Sequence, residues 1–293
     1  MQSASIQFDR PREDAGNIVL LEHVNVTQRD QRLMTLFWVG ALGGTRDPFL
    51  HVIDVNMWVN FGRQQIHSPT RDPQVLRGVI GLVQPDLDAL RARLAAMAQR
   101  LTDTRFAWED HGDFVMATCP WGNRVRVHAP QPRFGRMRLG IPYVELPVPI
   151  GRVPGTAAAG IARFYRDIMA APARTSEDGG VIAAHITMGA NQELIYRETR
   201  DPIAPYDGHH IALYVADFSG PHQRLRARGL VSEESDQWQY RFNDIVDLDN
   251  GDKLFELEHE VRSLTHPMYG RPLVSRNPAQ TQGEYITGQD AFY

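Results

Sequence analysis

The alternation of apolar and polar positions divides the chain into repeating blocks. Residues 18–26 are rich in apolar side chains, with strict alternation in the second half, and read as a strand. Residues 31–42 follow with Leu33, Phe37 and Leu42 near one stripe, which predicts a helix stopped by Gly43-Gly44. Three short strands are expected at 51–55, 57–61 and 64–68. A second block opens at 78–83. Its helix, 86–99, places Leu87, Leu90, Leu94 and Met97 three or four apart, and strands at 106–110, 114–119 and 124–128 complete it. The third block has a strand at 141–148, a helix at 156–169 and strands at 181–188 and 193–199, with room for a short hairpin strand before them. The fourth has a strand at 210–215, a helix at 219–228 ended by Gly229, and a hairpin at 239–246 and 254–260. The first two blocks read strand, helix, three strands, and the third and fourth continue that repeat, so the expected fold is α+β, built from four βαβββ units.

Units next to each other in sequence are expected to share a domain. That gives a polar arm at 1–16, an N-terminal domain at 17–132 and a C-terminal domain at 133–265. The proline- and glycine-bounded segment 130–140 is the linker, and 266–293 is a weakly patterned tail lying over one domain. The whole chain has 293 residues, 42% of them hydrophobic, enough to build real cores and to exclude general disorder. A net charge of -4 argues against a nucleic-acid partner, and apolar runs such as 18–21 and 34–42 are too short to span a bilayer. The N-terminus lacks the apolar stretch of a signal peptide. Cys119 is the single cysteine, so no internal disulfide forms and a reducing cytoplasm is the expected location.

This unit order resembles the vicinal oxygen chelate superfamily, the group of glyoxalases, bleomycin-resistance proteins and extradiol dioxygenases. The run DGHHIALYVAD from Asp207 to Asp217 is similar to the opening strand of a second unit there. The segments from Cys119 to His128 and from Asp247 to Leu257 are similar to its closing hairpins, and the Phe164-Tyr165 pair recurs in its helices. The resemblance covers roughly residues 17–262. It implies two domains whose sheets are cupped, with metal ligands on the first strand of each unit and the last strand of the second.

Strand alternation assigns faces to the candidate ligands. Ile211, Leu213 and Val215 pack outward, so His210, Ala212 and Tyr214 face into the cup. By the same rule Glu145 faces in beside Tyr143, and Glu256 faces in with Leu254 and Glu258. Glu145, His210 and Glu256 then occupy the positions where the resemblance implies a divalent metal, Fe(II) first, with Mn, Zn and Ni as alternatives. The competing reading pairs Glu145 with Arg197 or Arg241. Ring-cleaving members carry two histidines and one carboxylate, and Glu145 departs from that pattern. In the N-terminal domain His23 faces in with Asn25, but Gly78 and Arg126 complete its set, and these cannot hold a metal. His23 there reads as a hydrogen-bonded cup or core histidine, while Arg124 and Arg126 leave open a site for an anionic ligand. His185 turns inward by alternation and is a candidate general acid or base, against the reading of a satisfied histidine. Tyr196 and Tyr240 are candidates to hydrogen-bond a substrate oxygen, against the reading of core strand residues. His209 and His259 alternate outward.

The resemblance implies a metal-dependent enzyme acting on a small molecule chelated through adjacent oxygens. An extradiol-dioxygenase-like oxidoreductase acting on a small aromatic or enediol substrate comes first. A glyoxalase- or epimerase-like isomerase or lyase working through an enediolate is the alternative, and a non-catalytic binding or resistance protein is the third reading. No nucleic acid or membrane partner is expected, and the fold allows an edge-to-edge homodimer.

Overall fold

The computed structural model describes residues 8–52, 55–271 and 273. Residues 1–7 of the expected arm, 53–54 of the expected strand at 51–55, and most of the expected tail lie outside the described residues. The first unit comprises β1 (Ile18–Asn25), α1 (Gln31–Met34), β2 (Thr45–Val52), β3 (Asn56–Phe61) and β4 (Gln64–Pro69). Asp30 caps α1 by accepting from the backbone N–H groups of Arg32 and Leu33, and a wider π-helical turn, Thr35–Ala41, carries the helix to its glycine stop. The second unit comprises β5 (Val79–Val83), α2 (Leu87–Ala98), β6 (Ala107–Asp110), β7 (Phe114–Thr118) and β8 (Arg124–His128). The third has β9 (Tyr143–Pro149), α3 (Thr156–Met169), β10 (Ala173–Asp178), β11 (Val181–Thr187) and β12 (Glu193–Thr199). The fourth has β13 (His210–Val215), α4 (Ser219–Arg226), β14 (Val231–Asp236), β15 (Gln239–Val246) and β16 (Lys253–Ser263). The four-unit α+β fold read from the sequence is the fold observed.

The partnering of the units differs from expectation. One eight-stranded sheet runs β14-β15-β16-β13-β1-β4-β3-β2, and the other runs β10-β11-β12-β9-β5-β8-β7-β6. Unit one therefore joins unit four, through antiparallel pairing of β1 with β13, and unit two joins unit three, through β5 and β9. The division into domains at 17–132 and 133–265 does not follow the sheets. Segment 130–140 is not an interdomain linker, because it connects β8 and β9 within one sheet. The chain crosses between sheets at 70–78 and again at 200–209. Short-range sequence pattern sets each unit's elements, but which units zip together is a long-range choice made by first-strand edges.

The helices fill the space between the sheets. α3 touches strands β9–β12 of one sheet and β15 and β16 of the other, and it also packs on α4. Inward side chains from both sheets and from the helices form one contiguous apolar core, including Leu21, Phe37, Leu94, Val125, Ile161, Phe164, Leu213 and Phe242. The concave faces of the two sheets thus point away from this core, one on each side of the molecule.

Candidate functional site

The first cup gathers three histidines. His23 comes from β1, His67 from β4 and His210 from β13, and each offers a ligand atom within 4.8 Å of the others. Their placement follows from register. His23 pairs across β1 and β4 with Gln65, and His67 stands two residues further on. His210 pairs across β13 and β16 with Glu258, and Glu260 stands two residues further on. Units one and four thus present matching positions, His23 with His67 and His210 with Glu260, about the joint between β1 and β13. A bulge at residues 21–23 of β1 turns the adjacent Glu22 and His23 both into the cup.

Carboxylates stand behind two of the imidazoles. His23 Nδ1 lies 3.1 Å from Glu22 Oε2, and His210 Nδ1 lies 3.3 Å from Glu258 Oε1. An Nδ1–H donated to a carboxylate leaves the Nε2 lone pair available, the arrangement usual for metal-binding histidine. His23 Nε2, both ring nitrogens of His67 and His210 Nε2 are buried without a hydrogen-bond partner. Buried polar atoms are rarely left in that state, and lone pairs converging on one point suit a metal ion. Glu260 Oε2 lies 3.5 Å from His210 Nε2. His67 stacks on Trp58 with ring centroids 3.9 Å apart, and the edge of His23 meets the same indole.

Arginines hold the carboxylates in place. Arg241 pairs with Glu258 and Glu260, and buried Arg262 pairs with Glu260 and Glu22. Burial opposes ionisation of Glu260, yet Arg262 and its other partners hold its carboxyl well below the usual range; Glu22 is held down the same way. Burial pushes His23 and His67 below the usual imidazole range, and the neighbouring His23 and His210 push His67 further. Both rings are therefore neutral at neutral pH, as ligation requires. Beside the cluster lies a cavity of about 490 Å³ lined by Glu22, Gln65, Tyr214, Tyr269 and Arg271, among others. Met268–Arg271 of the expected tail form part of its wall, fixed by a buried ion pair of 2.7 Å between Arg271 and Asp47.

The ligand set expected from sequence is not brought together. His210 is in this cup, but Glu145 lies on β9 in the other sheet, where Arg197 Nε is 3.4 Å and Arg126 3.9 Å away. The arginine-paired reading of Glu145 is the one observed. Glu256 is on β16 as expected, yet four residues before Glu260, roughly 13 Å along the strand; its side chain meets Lys253 at 3.4 Å. His23 is part of the metal-binding candidate, because its partner unit is the fourth and not the second. His185 does face a cup, the second one, bonded to Ser176 at 2.9 Å and near Glu193 at 3.2 Å. Tyr196 and Tyr240 face the helix layer. Tyr196 bonds Tyr165 of α3 at 2.7 Å, and Tyr240 packs on Phe218 and His222. Neither touches a cup. His209 and His259 lie outside the cluster, as alternation predicted; His259 stacks on Phe242 and bonds Tyr165. His67 was not read from the sequence. Its signal was present, since Ile66 packs inward and so turns Gln65 and His67 to the cup face of the closing strand of unit one.

No family model matches the chain, and no curated protein matches it in sequence. Solved structures do. Glyoxalase I from Zea mays is similar over 87% of this chain and 95% of its own, with a TM-score of 0.55 at 12% identity. A candidate dioxygenase from Bacillus subtilis is similar over 84% of this chain and 86% of its own, with a TM-score of 0.54 at 14% identity. No helix among the described residues is long and apolar enough to cross a membrane. Four βαβββ units, two cupped eight-stranded sheets and these structural neighbours identify the fold as that of the vicinal oxygen chelate proteins, in its two-domain form.

Proposed function

We propose that the first cup is the active site of a metal-dependent enzyme acting on a small molecule that binds through two adjacent oxygens. The observation that carries this reading is the set of buried, unpartnered nitrogens on His23, His67 and His210. His23, His210 and Glu260 stand on the first strands of two joined units and the last strand of the second. That is the two-histidine, one-carboxylate set which the resemblance implies for ring-cleaving members. The departure expected at Glu145 therefore falls away, and a dioxygenase-like oxidoreductase is the preferred reading, with iron the preferred metal. When bound there, the metal supplies Lewis-acid polarisation of the two substrate oxygens and, if it is iron, redox chemistry.

The chain's own residues prepare the site. Glu22 and Glu258 orient the two ligating imidazoles, while Arg241 and Arg262 keep Glu260 ionised and fixed. The Tyr214 hydroxyl donates to Glu22 at 3.0 Å and lines the adjoining cavity, whose volume suits a small substrate. His67, neutral and unpartnered, is placed to accept a hydrogen bond from a substrate hydroxyl. Each of Glu22, Glu258 and Glu260 is tied to an arginine, which makes a carboxylate proton shuttle a poor fit and weakens the isomerase reading. One observation favours that second reading: His67 matches Glu260 by register, so it is placed to serve as a fourth metal donor.

Metal analysis of protein purified without chelator separates the two. Stoichiometric iron with oxygen uptake on a panel of catechols supports the dioxygenase-like reading. Zinc, nickel or cobalt without oxygen uptake supports the isomerase. Failure of every divalent metal to bind, with His210→Ala folding normally and leaving ligand binding unchanged, would refute both.

A further inference from the structure

The second cup has a guanidinium group, Arg126, where the first has one of its three histidines. By the same register rule, β5 pairs Val79 with Arg124 and β9 pairs Tyr143 with Glu193, so the positions matching His23, His67, His210 and Glu260 are Val79, Arg126, Tyr143 and Ile195. That set holds no metal. It places a tethered positive charge, Arg126, at a position where the first cup offers a ligand. Arg126 Nη1 reaches the Tyr143 hydroxyl at 3.4 Å, and that hydroxyl lies 2.8 Å from His128 Nε2. Arg133, from the segment joining β8 to β9, points its Nη2 at His128 Nδ1, 3.2 Å away. Burial, and then Arg133 and Arg126, push the His128 pKa down to about 4, so this partner is neutral.

Cations and carboxylates are unevenly paired here. Arg126, Arg133 and Arg197 face one cavity of about 560 Å³, where Glu145 pairs with Arg126 and Arg197 and, among the described residues, no carboxylate pairs with Arg133. Glu193, the other carboxylate on that sheet face, is taken by Arg174 at 2.7 Å and by His185. Glu13 and Asp14 stand exposed at the rim, and among the described residues neither pairs with the three arginines. Arg126 Nε is buried without a hydrogen-bond partner, and Phe134 and Tyr143 supply flat apolar walls. Two half-buried guanidinium groups sharing one carboxylate, with the exposed Arg133 beside them in an aromatic-lined site, call for an anionic guest, and guanidinium groups suit carboxylate and phosphate oxygens.

We infer that the second cup binds a small organic anion, a carboxylate or phosphate carried on a flat apolar body, at a site separate from the first cup. The test is calorimetric titration of the full chain, in chelator, with benzoate, phenyl phosphate and inorganic phosphate. Saturable one-to-one binding of benzoate or phenyl phosphate is expected, with the stronger of the two identifying the anion class. Arg133→Gln, which removes a bond to a neutral ring and a stack on Phe134 but no ion pair, should weaken binding about tenfold, and Glu145→Gln, which frees two guanidinium groups, should tighten it by a similar factor. His210→Ala should leave the affinity unchanged. The inference is overturned if neither aromatic anion binds saturably, if Arg133→Gln and Glu145→Gln both leave the affinity unchanged, or if His210→Ala abolishes binding. Equal binding of inorganic phosphate overturns the requirement for an apolar body.

Discussion

Replacing His67 by phenylalanine should change the sign of its effect with metal. The phenyl ring keeps the stack on Trp58, where the imidazole lies 3.9 Å away at an interplanar angle of 18°, and it deletes two buried nitrogens that lack a protein partner. An unsatisfied buried polar atom costs about 1 kcal/mol or more, part of which a trapped water recovers. In chelator His67→Phe should then be more stable than the parent by about 1–2 kcal/mol, raising Tm by roughly 2–6 °C at this chain length. Metal at a hundred times its Kd adds about 2.7 kcal/mol to the parent. Loss of one donor that weakens affinity ten- to a hundredfold removes about 1.3–2.3 kcal/mol of that gain at the same metal concentration. The stability order should therefore close or invert on loading. Urea melts of both proteins, with chelator and with Fe(II) under anaerobic conditions, read this directly. A variant less stable in chelator and stabilised by metal as much as the parent would show that His67 is an ordinary packed histidine and that no metal sits beside it.

Other outcomes test the surrounding structure. Arg262→Met strands Glu22 and Glu260 without their shared cation and should cost about 3–5 kcal/mol; adding Glu22→Gln should recover part of that in a denaturant melt, and no recovery would contradict the shared pairing. A Cβ at Gly78 would sit 2.0 Å from the backbone oxygen of Glu145, so Gly78→Ala should force β5 from β9 and destabilise the fold by about 3 kcal/mol; a neutral result would dispute the pairing of units two and three. Burial pushes His259 down to about 3 from its ordinary value, so the folded state stays unprotonated there while the unfolded chain gains a proton below about pH 6.5. Its stabilising contribution is present above that pH and falls by about 1.4 kcal/mol per unit as the pH drops toward 3. His259→Phe should remove that slope from urea midpoints measured between pH 6.5 and 4.5, and an unchanged slope would rule the residue out as its source.

Much of this was legible in the sequence, and what was missed has particular causes. Period-two alternation assigned the cup faces of His23, His210, Glu258 and His185 correctly, because inward packing of Ile211, Val24 and Ile186 leaves the neighbouring residues no other side. Alternation does not say which unit lies across the joint, so His23 was grouped with Gly78 and Arg126 in place of His210. It also does not fix position along a strand. β16 runs on to Ser263, and the carboxylate beside His210 is Glu260, on the same face as Glu256 but nearer the joint. Tyr196 and Tyr240 show the limit of residue type as a guide. Both were attractive as hydroxyl donors, yet both face the helices, where their rings fill the core.

The exchange of partners between units also bears on when the molecule can assemble. Units two and three follow one another directly and can close their sheet as soon as β12 has been made. Strand β1, though translated first, finds β13 only after nearly three-quarters of the chain exists. Until then the β1 edge that faces β13 lacks its native strand partner, the kind of waiting edge that invites wrong pairing or chaperone capture. The histidine cluster is consequently a late product of synthesis. A chain stopped before residue 210 has every strand of the arginine-lined cup but only half of the histidine-lined one.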